Sequence, residues 1–173
     1  VGGMGVDRIM RTNLLKKKEL VNTIKFTLGR KNLLVTFHPV TLGKDSSREQ
    51  FNELLLALDS LKETNIIFTF PNADTDGRII ISMIDDFVTK HAENAIRFIS
   101  MGHRNYLSAL QFVDGVVGNS SSGLAEAPSF RIGTINIGER QSGRLKAESV
   151  IDCKPLKRSI MLALKKLYSV EFQ

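Results

Sequence analysis

Val116-Val117-Gly118-Asn119-Ser120-Ser121-Ser122-Gly123-Leu124-Ala125-Glu126-Ala127-Pro128-Ser129-Phe130 opens as an apolar run and ends it with a glycine, three serines and a second glycine. Small residues carrying one carboxylate follow. That order reads as strand, tight turn, helix. Such a turn gathers backbone N–H groups and hydroxyls at a helix N-terminus, where the helix dipole favours an anion. Glu126 falls about one turn further on, placed to accept bonds from a neutral polyol such as ribose. A phosphate-binding turn beside a sugar-binding carboxylate suits a nucleoside diphosphate. The same letters also suit a serine-rich cap on an ordinary helix, so the flanking sequence has to separate the two.

The flanks alternate between strand-like and helix-like patterns. Leu33-Leu34-Val35-Thr36-Phe37, Ile66-Ile67-Phe68-Thr69-Phe70 and Ala95-Ile96-Arg97-Phe98-Ile99 are compact runs of β-forming residues. Residues 114–118 and 133–137 make a fourth and a fifth strand, and Val150-Ile151 a short edge. Ser47-Arg48-Glu49-Gln50 has the spacing of a capping box, opening a helix with Phe51, Leu54, Leu55, Leu58 and Leu61 on its apolar side. A second helix is expected over residues 77–90 with Ile80, Ile84 and Phe87 inward, and a short one over 106–112. Pro155 suits the first turn of a closing helix with Leu156, Ile160, Leu164 and Leu167 at helical spacing.

Short strands separated by helices imply an α/β fold, a Rossmann-like parallel sheet flanked by helices. Such sheets bind ligands beyond the carboxyl ends of their strands. His38-Pro39, Pro71-Asn72, Ser100-Met101, residues 118–123 and Gly138-Glu139-Arg140 occupy those positions. Polar residues converge there, which favours a ligand site over a plain helix cap.

Composition narrows the field. The chain has 173 residues, 42% of them hydrophobic, enough for one core and a single domain. No apolar run reaches the roughly 18 residues that a membrane helix needs, so no membrane partner is expected. The opening Val1-Gly2-Gly3-Met4-Gly5-Val6-Asp7 lacks the layout of a signal peptide and begins without Met, so the chain reads as a piece of something longer. A single cysteine, Cys153, fits a reducing cytoplasmic setting. Three histidines and one cysteine give no zinc-ligand spacing, and no metal or cofactor is expected. The net charge of +6 favours anionic partners. Arg8, Arg11, Lys16, Lys17, Lys18, Lys25, Arg30 and Lys31 carry much of the excess, but no aromatics interleave them as nucleic-acid stacking requires. That stretch reads as a solvated helical face or a surface meeting another domain.

Four linked motifs carry a resemblance. Thr36-Phe37-His38-Pro39-Val40-Thr41, Phe70-Pro71-Asn72-Ala73-Asp74, Gly118-Asn119-Ser120-Ser121-Ser122-Gly123 with Glu126, and Ile135-Asn136-Ile137-Gly138-Glu139-Arg140-Gln141-Ser142-Gly143-Arg144 appear in order. Together they resemble the C-terminal half of the UDP-N-acetylglucosamine 2-epimerases, of the hydrolysing type that feeds sialic-acid-like sugar synthesis. The non-hydrolysing branch typically has a shorter Asp-Ser-Gly-Gly loop and a double Arg after the histidine, and this chain has neither. The resemblance implies the architecture of the two-domain B-type (GT-B) glycosyltransferases. In those terms residues 1–173 form the UDP-binding C-terminal Rossmann-like domain, residues 1–32 being an interdomain crossing and basic helix, with the N-terminal catalytic domain absent.

The resemblance also implies roles. Ser120 and Ser121 would bind the diphosphate, Ser122 and Gly123 shape the turn, and Glu126 hold the ribose hydroxyls. Tyr106 would lie against uracil while backbone near Met101 reads the base edge. His38 would approach the diphosphate or sugar and, as imidazolium, stabilise departing UDP; Asn72 and Arg140 would complete the sugar and phosphate contacts. The implied reaction converts UDP-N-acetylglucosamine to N-acetylmannosamine and UDP, through elimination to a glycal and hydration. Its acid–base carboxylates would lie in the N-terminal domain, so the isolated chain should bind UDP with little turnover. A homodimer is expected of the full-length protein. Two readings stay open beside this one: half of a UDP-sugar-dependent GT-B glycosyltransferase, and a non-catalytic nucleotide-sugar-binding module. His91 and His103 have no motif support and are taken as surface residues.

Overall fold

The chain folds around one six-stranded parallel sheet. A computed structural model describes residues 9, 11–40, 46–72 and 75–172. Residues 1–8, which include the glycine-rich opening and Arg8, lie outside the described residues, as do the motif positions Thr41, Ala73 and Asp74. The strands are β1 (Lys31–Thr36), β2 (Thr64–Thr69), β3 (Ala95–Phe98), β4 (Gly115–Gly118), β5 (Gly133–Ile137) and β6 (Val150–Cys153). The helices are α1 (Lys17–Ile24), α2 (Ser46–Asp59), α3 (Thr75–Lys90), α4 (His103–Leu110), α5 (Ser122–Ala125) and α6 (Lys157–Leu167), with a 3-10 turn at Ala127–Phe130. The strand order is β3-β2-β1-β4-β5-β6, and every neighbouring pair is parallel.

Alternation along the strands builds the two faces. Leu33 and Val35 of β1 point with Ile66 and Phe68 of β2 into a cluster closed by Phe51 and Leu54 of α2, Ile80 and Ile84 of α3, and Ile160 and Leu164 of α6. Leu34, Ile67 and Val116 point the other way, against Leu20 and Ile24 of α1 and Leu107 and Leu110 of α4. Each such side chain contributes about 1.5–3 kcal/mol by leaving water. Apolar residues on both faces of β1 and β2 are what a sheet covered on both sides requires. The chain runs outward from β1 through β2 to β3 and then returns to place β4 on the other side of β1. The carboxyl ends of β1 and β4 therefore flank the point where the strand order reverses.

Several expected boundaries shift. β1 and β2 begin two residues earlier than their apolar cores and end before Phe37 and Phe70. The edge at Val150 is a full strand, paired with β5 as far as Ile137↔Cys153. α3 starts at Thr75 and α4 at His103, ahead of the expected residues 77 and 106. Pro155 lies outside the closing helix, which begins at Lys157, and Leu156 is 52% exposed rather than part of the apolar stripe. Ser47 does not cap α2. Its hydroxyl accepts from Val40 N at 2.8 Å and donates to Val40 O at 3.1 Å, so it fastens the loop that follows His38.

Candidate functional site

At the reversal point β4 runs parallel to β1 and ends close against it, with Gly118 opposite Thr36. Gly118 has φ +140°, and a Cβ there would overlap the Thr36 carbonyl, so only glycine lets the chain turn out of the sheet. Asn119 follows, 1% exposed. Its backbone N–H donates to Thr36 O at 3.2 Å. Its side-chain Oδ1 accepts from His38 N at 2.7 Å, and its Nδ2 donates to His38 O at 2.8 Å. Its carbonyl in turn accepts from Arg140 Nη1 at 3.0 Å and Gln141 Nε2 at 2.8 Å. One residue thus joins the loops after β1, β4 and β5.

The serine turn differs from its expected form. α5 is a single turn, continued only by the 3-10 turn, so its dipole is small and the polar groups of the loop must do most of any anion binding. Ser121 is the N-cap residue, its carbonyl accepting from Leu124 N and Ala125 N at 3.1 and 3.0 Å. Gly123 is buried: a Cβ would lie 2.8 Å from Thr134 Cγ2, and its carbonyl accepts from Thr134 Oγ1 at 2.6 Å. It lets α5 sit down on β5.

Two hollows open at the carboxyl ends of the strands. One, of about 300 Å³, is walled by Thr36, Thr69, Met101, Tyr106, Ser120, Ser122 and Glu126. The Tyr106 hydroxyl is 2.7 Å from Ser122 Oγ, which is 3.1 Å from Ser120 Oγ. Burial pushes the Tyr106 phenol up to about 12; the Ser122 bond lowers it and the Glu126 charge adds to the rise. It therefore stays protonated at neutral pH. The other hollow, of about 1000 Å³, is walled by His38, Asn72, Arg140, Glu139, Gln50 and Lys154, among others. Burial and the neighbouring Arg144 lower the Arg140 guanidinium from its ordinary value, which still leaves it charged. A third hollow, of about 670 Å³, lies beside Lys31 and Thr64 at the amino-terminal edge of the sheet, away from where parallel sheets hold ligands.

Eight of the ten expected positions line these two hollows. Met101, Tyr106, Ser120, Ser122 and Glu126 share the smaller hollow, and His38, Asn72 and Arg140 the larger. Ser121 and Gly123 line neither hollow; the Ser121 carbonyl caps α5 and Gly123 packs on β5. Among the described residues no group of three or more His, Cys, Asp and Glu is arranged to hold a metal ion. No helix is long and apolar enough to cross a membrane, again among the described residues. Burial, reinforced by Asp152, pushes the Cys153 thiol up to about 12, which leaves it an unreactive thiol at neutral pH.

The sequence pattern described as UDP-N-acetylglucosamine 2-epimerase matches residues 1–173. The chain belongs to the UDP-N-acetylglucosamine 2-epimerase family. Within that family it is 35% identical over 173 residues to the hydrolysing GDP/UDP-N,N'-diacetylbacillosamine 2-epimerase of Campylobacter jejuni, covering 100% of this chain and 44% of that one. It is 37% identical over 163 residues to the polysialic acid biosynthesis protein P7 of Escherichia coli, covering 93% of this chain and 41% of the relative. Among solved structures, the Neisseria meningitidis UDP-GlcNAc 2-epimerase bound to UDP-GlcNAc superposes with a TM-score of 0.64 at 13% identity, over 96% of this chain and 43% of that one. The chain therefore spans well under half the length of these relatives, and its fold is that of the C-terminal half of the GT-B-type epimerases.

Several residues of this epimerase-family domain carry weight that the sequence reading did not assign. Asn119 and Gln141 are the clearest: each is 1% exposed and polar, in loops whose letters look solvated. Gln141 Oε1 has no hydrogen-bond partner among the described residues. Thr36 and Thr69 face each other in register and share a hydroxyl contact; the repeated Thr-Phe at two strand ends was the available signal. His103 lies on the rim of the smaller hollow. His91 is not a plain surface residue: it sits 2.8 Å from Asp59 Oδ1 with its ring 4.3 Å from that of Phe87.

Proposed function

We propose that this chain is the nucleotide-holding half of a hydrolysing UDP-N-acetylglucosamine 2-epimerase, which converts UDP-N-acetylglucosamine to N-acetylmannosamine and UDP. In this reading residues 1–173 are the UDP-binding domain, and residues 1–32 a crossing and basic helix leading from an N-terminal catalytic domain. The observation that carries it is the gathering of two polar sets at the reversal point of the sheet. Tyr106, Ser120, Ser122 and Glu126 form one, and His38, Asn72 and Arg140 the other.

The chemistry of each group suits its part. Hydroxyls and N–H groups of Ser120 and Ser121 bond the diphosphate, and Ser122 is held in place by Tyr106. Glu126 accepts from the ribose hydroxyls, where a nucleotide lacking one leaves a polar group unpaired at a cost of about 1–3 kcal/mol. The Tyr106 ring offers area to uracil, with the backbone at Met101 reading the base edge. Arg140 gives charge-assisted bonds to phosphate. His38, as imidazolium, stabilises the charge that builds on UDP as it departs. Taking a proton from C2 and returning one requires further acid–base groups, assigned here to the N-terminal domain. The full-length protein is read as a dimer.

Calorimetric titration of the chain with UDP tests the reading, repeated on Glu126→Ala and on the Ser120/Ser121 double alanine. Saturable binding that both variants lose, with the fold intact, is the expected result. A folded parent with no affinity for UDP overturns it. The two-domain protein should then release UDP and N-acetylmannosamine without an acceptor sugar; a product that appears only with an acceptor points instead to a glycosyltransferase.

A further inference from the structure

Asn119 spans the reversal point with a two-point amide clamp. Its Oδ1 takes the N–H of His38 and its Nδ2 gives to the carbonyl of the same residue. A side-chain amide here does what a strand partner would do for one residue. β1 has ended at Thr36, and Gly118 has turned β4 away, so the regular ladder cannot reach His38. The clamp sets both peptide planes beside His38. Pro39 restricts the remaining backbone freedom, since a residue before proline is held to extended conformations. The backbone of His38 is thereby held on both sides. The same Asn119 presents its carbonyl to Arg140 and to the buried Gln141, so His38 and Arg140, two residues walling the larger hollow, are referred to one residue.

We infer that Asn119 is a positioning residue that acts through His38 on the UDP-sugar. This rests on the reading of His38 as a ligand-binding group. A group that must meet developing charge gains from being held before the ligand arrives, because misplacement by about 1 Å costs orders of magnitude in rate. Asn119 itself needs no contact with the ligand, since both of its side-chain polar atoms are spent on His38.

A double-mutant cycle on UDP affinity tests this, using the parent chain, Asn119→Ala, His38→Ala and the double variant. Asn119→Ala should weaken UDP binding about tenfold in the parent and less than twofold once His38 is alanine. Amide exchange supplies the control: His38 N–H should lose protection while Leu34 N–H, in the core of β1, keeps it. Asn119→Asp, the same size, guards against a variant that fails to fold. It keeps the bond from His38 N–H, sets a carboxylate oxygen against the His38 carbonyl, and should also weaken UDP in the parent only. Equal losses in both backgrounds overturn the inference, as does an Asn119→Ala chain with parental affinity. A parent chain that binds no UDP removes the nucleotide-site reading itself, a result distinct from either.

Discussion

The Tyr106 hydroxyl lies 2.7 Å from Ser122 Oγ and ties the first turn of α4 to the first residue of α5. The Tyr106 ring and the serine turn are therefore one mechanical unit, although 16 positions separate them in the chain. Tyr106→Phe keeps the ring and removes the tie. UDP affinity should fall about three- to tenfold while stability drops by about 1 kcal/mol, the worth of one hydrogen bond. Calorimetry and denaturant unfolding measure the two separately. An unchanged affinity would place Ser122 outside the nucleotide's reach.

Tyr106 and Tyr168 are the chain's two tyrosines. Burial pushes the first up to about 12, and raises the second too, with Asp114 reinforcing the rise. The folded state thus holds both phenols neutral where the unfolded chain ionises near pH 10. Stability is complete below about pH 10 and falls as pH climbs from there towards 12, because only the unfolded chain has released its protons. Phenolate absorbance should appear together with loss of helical circular dichroism, not before it. A phenolate signal at pH 10 in folded protein would contradict the burial.

Gly118 and Gly102 both have positive φ but differ in surroundings. A Cβ at Gly118 meets the Thr36 carbonyl, whereas one at Gly102, with φ +72°, meets nothing within 4 Å. Gly102, with ψ 152°, sits where essentially only glycine goes, so Gly102→Ala should cost the backbone strain alone, about 1–3 kcal/mol. Gly118→Ala must also push β4 off β1 and should cost about 3 kcal/mol or more. Urea midpoints of the two variants check the ordering.

The loop after β5 is held by one ion pair. Lys146 Nζ reaches both Asp152 oxygens at 2.8 and 2.9 Å, and Asn136 Nδ2 reaches Oδ1 at 2.6 Å. Burial raises the Asp152 carboxyl, but the bonds from Lys146 and Asn136 outweigh it, and the net shift is downward. The tie is complete above the ordinary carboxylate range near pH 4 and is lost as pH falls below it. Lys146→Ala should expose the Arg140 and Arg144 bonds to trypsin, with cleavage several-fold faster than in the parent and little change in the unfolding midpoint. Equal cleavage rates would mean that the contacts of Arg140 and Gln141 with Asn119 secure the loop without the ion pair.

The sheet and its helices were legible in the letters because each element repeats a local pattern. Leu33-Leu34-Val35 is apolar on both faces, so it reads as a buried parallel strand and becomes one. The helix ends were less legible: Ser47 has capping-box spacing, yet its hydroxyl serves Val40, a partner the spacing cannot see.

By itself the sequence determined the fold class, the two apolar faces and the ends of the strands where polar residues gather. Periodicity and burial are properties of short segments, and they survive in one dimension. Only the tertiary structure decided that the gathered residues divide between two hollows, that Tyr106 belongs to the serine turn, and that Asn119 holds His38. The last contact spans 81 positions. It exists because β4 returns to lie beside β1, and a hydrogen bond depends on where two strands end in space rather than on any spacing along the chain.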